Sequence, residues 1–189
     1  MWYNKKGDKM ENKDKIEKEC ETIVELFWRE ELVPKDMRIR QVYGVPFDDE
    51  GRVLLKVENF NGKKIFSLAG GTVEKFDKDM VATLYREFKE EVNTSLHSPV
   101  YLGYQEVRGD GDREPYAQVR MACRINQSGE KLPDPDNGKV YDRVLVSPEK
   151  AKRLISWGEI GNKILDKAKQ VAENEYRLKV DNSDDEKWV

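Results

Sequence analysis

The stretch from Leu68 to Asn93 constrains this chain more than any other. Leu68-Ala69-Gly70-Gly71-Thr72-Val73-Glu74 leads through Asp79 into a helix-forming run that ends Arg86-Glu87-Phe88-Lys89-Glu90-Glu91-Val92-Asn93. The pattern is strand, glycine loop, helix. Val81, Leu84, Tyr85, Phe88 and Val92 recur at about 100° per residue and share one helix face. Glu87, Glu90 and Glu91 share another. Three carboxylates in the last two turns of a helix are unfavourable twice over. Glu87 and Glu91 at i,i+4 repel by roughly 0.2–0.5 kcal/mol, and the negative end of the helix dipole repels anions further. No basic residue stands three or four positions from Glu87 or Glu91, and only Glu90 has one, Arg86. The compensating charge must come from elsewhere in the fold or from a bound cation. Hard divalent cations suit clustered carboxylate oxygens, and Mg²⁺ keeps several waters while bridging to substrate phosphates. A solvated acidic face is the other reading of the same run.

These residues resemble the box of the Nudix family, Gly-x5-Glu-x7-Arg-Glu-U-x-Glu-Glu-x-Gly-U, where U is a bulky aliphatic residue. Gly71 matches the first Gly. Arg86, Glu87, Glu90 and Glu91 match the Arg-Glu and Glu-Glu pairs, and Phe88 stands at the first U. Phe66-Ser67-Leu68-Ala69-Gly70-Gly71 is similar to the family's aromatic-x-Leu-Pro-Gly-Gly approach, with Ala69 for Pro. Glu74 matches a glutamate often found three residues after the second Gly. So long and chemically mixed a pattern is far more specific than a lone glycine motif. It departs in three places. Fourteen residues, 72 to 85, separate Gly71 from Arg86, where the box has thirteen. The first acidic position therefore falls on Asp77 counted from Gly71, or on Lys78 counted from Arg86. The closing Gly is Asn93, the next-best residue for the left-handed conformation that ends helices. The closing U is Thr94.

The resemblance implies an α/β fold, a mixed β-sheet sandwiched between helices. It implies Mg²⁺- or Mn²⁺-dependent hydrolysis of a phosphate–phosphate bond in a nucleoside diphosphate linked to another group. Carried over position by position, Glu87, Glu90, Glu91 and the Gly70 carbonyl hold the cation, and Glu90 serves as ligand or general base. Arg86 orients Glu90 or Glu74. A distal glutamate acts as base in some members, with Glu114 and Glu159 as candidates here. Arg108, Arg113 and Tyr116 flank the loop after the box. They either meet phosphates and stack on a base or are solvated loop residues. The alternative function is a Nudix-fold nucleotide-binding or regulatory domain, suggested by the extra loop residue and the missing box Glu and Gly.

The rest of the chain supports one domain. Its 189 residues suffice for a real core. Charge is dense but nearly balanced, −3 net, which argues against a general nucleic-acid coat or a membrane-surface protein. The expected partner is a small nucleotide-type molecule, with nucleic acid excluded except as a capped RNA end. Cys20 and Cys123 lie far apart and show neither metal spacing nor a disulfide framework. No apolar run spans a membrane and the N-terminus has no signal core, so a cytoplasmic location is expected. There is no Gly-Lys-Ser/Thr after the glycines and no nucleophile elbow.

In order, residues 1–14 read as a flexible N-terminus, 15–180 as a single domain and 181–189 as a flexible tail. Ile16, Ile23, Val24, Phe27 and Trp28 recur at helical spacing to about Leu32, an N-terminal helix extra to a minimal Nudix domain. Its apolar face either packs across the domain or meets a second copy in a homodimer. Strands are expected at 40–45, closed by Pro46, and at 53–57, 65–68, 100–107, 117–125 and 140–146. Ser147 and Pro148 open a helix. Gly158 and Gly161 interrupt the pattern around Trp157, expected at a helix junction, and a last helix runs from about 162 to 176. His97, the single histidine, is expected in a loop, and Arg120 on one face of a strand.

Overall fold

The computed structural model describes residues 24–109 and 114–189. In chain order these form β1 (Glu25–Arg29), β2 (Arg38–Phe47), β3 (Val53–Phe60), β4 (Lys63–Ser67), β5 (Gly70–Thr72), α1 (Met80–Val92), β6 (Thr94–Arg108), β7 (Tyr116–Ser128), β8 (Asp142–Val146), α2 (Pro148–Ile155), α3 (Gly158–Asn174) and β9 (Glu186–Trp188). The strands make one nine-stranded sheet in the order β1-β6-β7-β2-β3-β8-β9, with β4 on β3 and β5 on β2. It is a mixed sheet, because β2 runs parallel to β7 while its other pairings are antiparallel.

Side-chain alternation along β2 divides the core into two layers. Val42 belongs to the cluster that α1 covers with Leu84, Phe88 and Val92. Val45 and Phe47 belong to the opposite cluster, closed by Ala151 and Ile155 of α2 and Ile164, Leu165 and Ala168 of α3. Asp79 caps α1 by accepting from the Ala82 N–H at 2.8 Å, and Asn93 ends it at φ 41°, in the left-handed conformation. Ser147 caps α2 with Pro148 in the first turn. Gly161 lies inside α3, where a Cβ would stand 2.6 Å from that of Trp157, so the residue at the α2–α3 junction dictates it.

Several sequence expectations are corrected. The described part of the expected N-terminal helix is strand β1, paired antiparallel with β6 from Glu25↔Arg108 to Arg29↔Tyr104; residues 15–23 lie outside the described residues. Phe27 and Trp28 suit a half-buried pleated surface, and the edge of β6 offers a row of hydrogen-bonding groups that outweighs helical spacing. The tail expected to be loose from residue 181 carries β9, which pairs with β8. Pro46 does not close β2, which continues to Phe47. Beyond Tyr43 that strand has left β5 and meets β3 only at Phe47, where a missing N–H disturbs least. β6 starts at Thr94, directly after the Asn93 cap, so His97 is in a strand. Its ring nitrogen Nδ1 lies 3.0 Å from the Ser98 hydroxyl at the surface. Among the described residues no helix is long and apolar enough to cross a membrane.

Candidate active site

The glycines form β5, held between β2 and α1 by the pairs Tyr43↔Gly70 and Val42↔Gly71. Both positions exclude a side chain. Gly70 has φ 139°, and a Cβ there would stand 2.2 Å from the Val42 carbonyl oxygen. A Cβ on Gly71 would stand 2.5 Å from Glu87 Oε2. The second glycine thus lets a carboxylate lie directly on the backbone.

Arg86 gathers this end of the fold. It donates to both carboxylate oxygens of Asp77 at 3.2 and 2.9 Å, to Glu87 Oε1 at 3.0 Å, to Glu90 Oε2 at 2.8 Å and to the Thr72 carbonyl at 2.7 Å. Asp77 also accepts from the Glu74 N–H and the Thr83 hydroxyl, each at 2.9 Å. Of the two residues open at the first acidic position, Asp77 is therefore the one joined to Arg86, and Lys78 is exposed. Hydrogen bonds from Arg86 hold the Asp77 carboxyl down at about 2. The extra loop residue is absorbed without loosening the helix.

Glu91 lies deeper. Its Oε2 accepts from the Gly70 N–H at 2.9 Å and its Oε1 pairs with Lys56 of β3. Burial pushes its carboxyl above the ordinary range despite that lysine. Burial also raises Glu87, to about 7, against the pull of Arg86, and Glu91 and Glu90 push the same way. Arg143 of β8 donates to the Val92 carbonyl at 2.7 Å and to the Gly129 carbonyl at 2.9 Å, placing a cation at the negative end of α1. The charge missing from the helix thus comes from Arg86, Lys56 and Arg143. It does not fully offset the burial of Glu87.

That residue set suits a hard divalent cation in kind: three carboxylates at one helix end, two of them, Glu87 and Glu91, placed where burial disfavours the bare charge. Among the described residues no three acidic or thiol or imidazole side chains already converge as a metal cluster. Arg86, Lys56 and the Gly70 N–H hold the carboxylates apart.

Beside this end opens a cavity of about 670 Å³, bordered by Gly70, Gly71, Glu91 and Lys56. Its floor is the sheet face of β2, β7 and β6. Gln41, Gln118 and Gln105 are consecutive cross-strand partners there, and Tyr43 and Arg120 partner in the next row. Arg120 is 3% exposed and has no carboxylate partner among the described residues. Its guanidinium lies over the Tyr43 ring at 4.5 Å and 5.8 Å from the ring of Trp157. Burial pulls its pKa down to about 10. Trp157 and Ile160 from the start of α3, and Leu26 of β1, form the rim.

The other expected site residues fall out as follows. Glu74 contributes its backbone N–H to Asp77 while its side chain is exposed, so Glu90 is the glutamate that Arg86 holds. Tyr116 lines the cavity, with the Arg40 guanidinium 4.8 Å over its ring. Arg108 does not line it; it donates to Glu106 at 2.6 Å and lies over Phe27. Arg113 is outside the described residues. Neither candidate distal base borders the cavity: Glu114 is exposed, and Glu159 is exposed and paired with Lys163 at 2.7 Å. Trp157 is at the helix junction as expected and also faces the cavity. Sequence reasoning missed Lys56 and the Gln41–Gln118–Gln105 row, and it read Arg120 only as a strand face. The available signal was two polar residues, Gln118 and Arg120, on one face of an apolar strand. In sequence that alternation also describes a wet face.

The NUDIX domain profile matches residues 37–167. The chain belongs to the Nudix family. Membership makes it a hydrolase acting on phosphoric anhydrides. Among solved structures it is similar to the Bacillus subtilis pyrophosphohydrolase BsRppH at 20% identity and TM-score 0.59, covering 77% of this chain and 90% of that one. A putative NUDIX hydrolase from Listeria monocytogenes matches at 16% and 0.53, covering 73% and 97%. A NUDIX hydrolase from Nitrosomonas europaea matches at 14% and 0.52, covering 69% and 88%. At these identities the likeness is one of fold. No curated protein matches the chain by sequence.

Proposed function

We propose that this Nudix domain is a Mg²⁺- or Mn²⁺-dependent pyrophosphohydrolase that cleaves the phosphate–phosphate bond of a nucleoside diphosphate linked to another group. The observation that carries it is the Arg86 clamp. One guanidinium fixes Asp77, Glu87 and Glu90, while Lys56 and Gly70 set Glu91 at the edge of the 670 Å³ cavity. Glu87, Glu90, Glu91 and the Gly70 carbonyl would hold the cation. The chemistry it supplies there is neutralisation of charge building on phosphoryl oxygens and a lowered pKa of bound water.

The chain's own groups do the rest. Arg86 orients Glu90, whose carboxylate is partly open to solvent and accepts a proton from the attacking water. Lys56 and Arg143 hold the site's charge so that a substrate diphosphate is not repelled. Leu26, Trp157 and Ile160 screen one side of the cavity from water. Two cysteines far apart in sequence, with no disulfide framework, support a cytoplasmic location. The catalytically silent alternative drew on the irregular box. Asp77 on Arg86 and the left-handed Asn93 cap support the catalytic reading, since the clamp forms despite both departures.

The test replaces Glu90 and Glu91 separately with Gln. Turnover should fall roughly 10²–10⁴-fold while the melting curve barely moves. Turnover that survives both changes contradicts the proposal.

A further inference from the structure

The cavity floor has a hydrogen-bonding polarity that follows from Arg120. A guanidinium has donors only. Its Nη2 donates to Gln105 Oε1 at 2.9 Å and Gln118 Oε1 at 3.0 Å, and its Nη1 to the Gln118 and Val119 carbonyls at 3.2 and 3.3 Å. Both amide oxygens are therefore turned toward Arg120, and the orientation of each amide is fixed by its partner. Gln118 then presents its NH₂ sideways and donates to Gln41 Oε1 at 2.6 Å. Along the row Gln41–Gln118–Gln105 every side-chain oxygen already accepts a hydrogen bond. The groups of the row with no partner among the described residues are the NH₂ groups of Gln41 and Gln105, two donors on the floor of one cavity. The hydroxyls of Tyr43, Tyr116 and Ser67 can serve in either sense, and the Glu91 carboxylate at the border is engaged by Lys56 and the Gly70 N–H.

Resting on the nucleotide reading of this site, we propose that the cavity selects bases whose major-groove edge carries acceptors and no amine, guanine first, and disfavours bases whose major-groove edge carries an amine, adenine and cytosine. Guanine presents O6 and N7, both acceptors, to a pair of donors, whereas adenine places its N6 amine beside N7. An amine set against a fixed amide NH₂ loses its water and gains no acceptor. A phosphate is the other acceptor-rich occupant. It fits less well because the Arg120 charge is sheathed: four oxygens take its η N–H groups, and its Nε is buried away from solvent. The ligand meets neutral amides, with the Trp157 ring standing at the rim for a flat group. Arg120 is a positioning residue, acting through the glutamines.

The experiment is calorimetric titration in Mg²⁺ with the α,β-methylene diphosphates of guanosine, inosine, uridine, adenosine and cytidine, and with tripolyphosphate. The guanosine compound should bind roughly 10- to 100-fold tighter than the adenosine compound. Inosine and uridine should follow guanosine, and cytidine should follow adenosine. Gln105→Glu keeps the side-chain size, pairs one oxygen with Arg120 and turns an acceptor to the cavity, so it should narrow or invert the guanosine-to-adenosine ratio. Arg120→Met, which frees the amides to turn, should erase the ratio. Equal binding of the guanosine and adenosine compounds overturns the proposal. So does tripolyphosphate binding as tightly as guanosine, an unchanged ratio in Gln105→Glu, or no binding by any compound. The analogues are not cleaved, so failure of the hydrolytic reading shows separately, as absent phosphate release from natural nucleotides with the base preference intact.

Discussion

Arg143 and Arg120 are both buried, and among the described residues both lack a carboxylate partner and carry an Nε with no hydrogen-bond partner. They differ in what takes their remaining N–H groups. Arg143 ends on the main-chain carbonyls of Val92 and Gly129, the close of α1 and the loop beyond β7. Arg120 takes the carbonyls of Gln118 and Val119 within its own paired strand β7 and, beyond them, two side-chain amides that border a cavity. The carbonyls that Arg143 takes tie the end of a helix to a loop, so Arg143 belongs to the fold. Side-chain amides beside a cavity can turn to water or to a ligand, so Arg120 is available for recognition. A buried cation without a counter-charge is thus not one kind of feature, and its partners tell the two apart.

The sharpest way to break that distinction is to remove each charge. Arg143→Met should lose about 1.5–3 kcal/mol, because the charged hydrogen bonds that tie the end of α1 to the loop beyond β7 are removed. Arg120→Met should change stability by no more than about 1 kcal/mol. Denaturant melts of the two variants compare them directly, and a larger loss at Arg120 would erase the difference drawn here.

A smaller effect is expected at Asp77. Asp77→Asn should lose about 2 kcal/mol through weakened charged hydrogen bonds to Arg86. Turnover should drop only several-fold, since Glu87, Glu90 and the Thr72 carbonyl still hold Arg86. The Asp77 carboxyl is depressed from 3.8 to about 2. Its stabilisation is therefore full above about pH 4 and lost as pH falls from 4 toward 2. The acid limb of a stability-versus-pH curve should flatten in the variant.

The smallest effect concerns Glu87, held up at about 7 by burial. A proton and a cation compete for this carboxylate, so apparent Mn²⁺ affinity should be steady above about pH 7 and fall up to roughly tenfold per unit below it. Without metal the sign reverses: protonation removes a disfavoured buried charge, so stability attributable to Glu87 rises as pH drops through 7. Calorimetry in buffers of different ionisation enthalpy would register the released proton, and Glu87→Gln should abolish it.

The same contrast explains what could be seen in the sequence. The helix α1 was legible from its apolar period, and the chemistry of Asp79 and Asn93 suits the caps they make, because those signals are local. The need for a compensating charge was legible too, but not its source. Lys56 lies 35 residues from Glu91 in sequence and meets it only through the sheet. The strand β1 misled because Ile16, Ile23, Phe27 and Trp28 keep helical spacing, while the edge of β6 that orders Glu25–Arg29 is nearly eighty residues away. The glutamine row was hidden for a similar reason. Gln41, Gln118 and Gln105 become neighbours only once β2, β7 and β6 are in register, and a covered polar face looks in sequence like a wet one.

The most direct test of the metal-dependent hydrolytic site is phosphate release, coupled to pyrophosphatase or phosphatase, measured across nucleotides, nucleotide sugars, dinucleoside polyphosphates and capped RNA. Turnover of one substrate class that EDTA abolishes and Mg²⁺ or Mn²⁺ restores is the predicted result. Silence toward every class from folded, metal-loaded protein, or release that EDTA leaves unchanged, would contradict it.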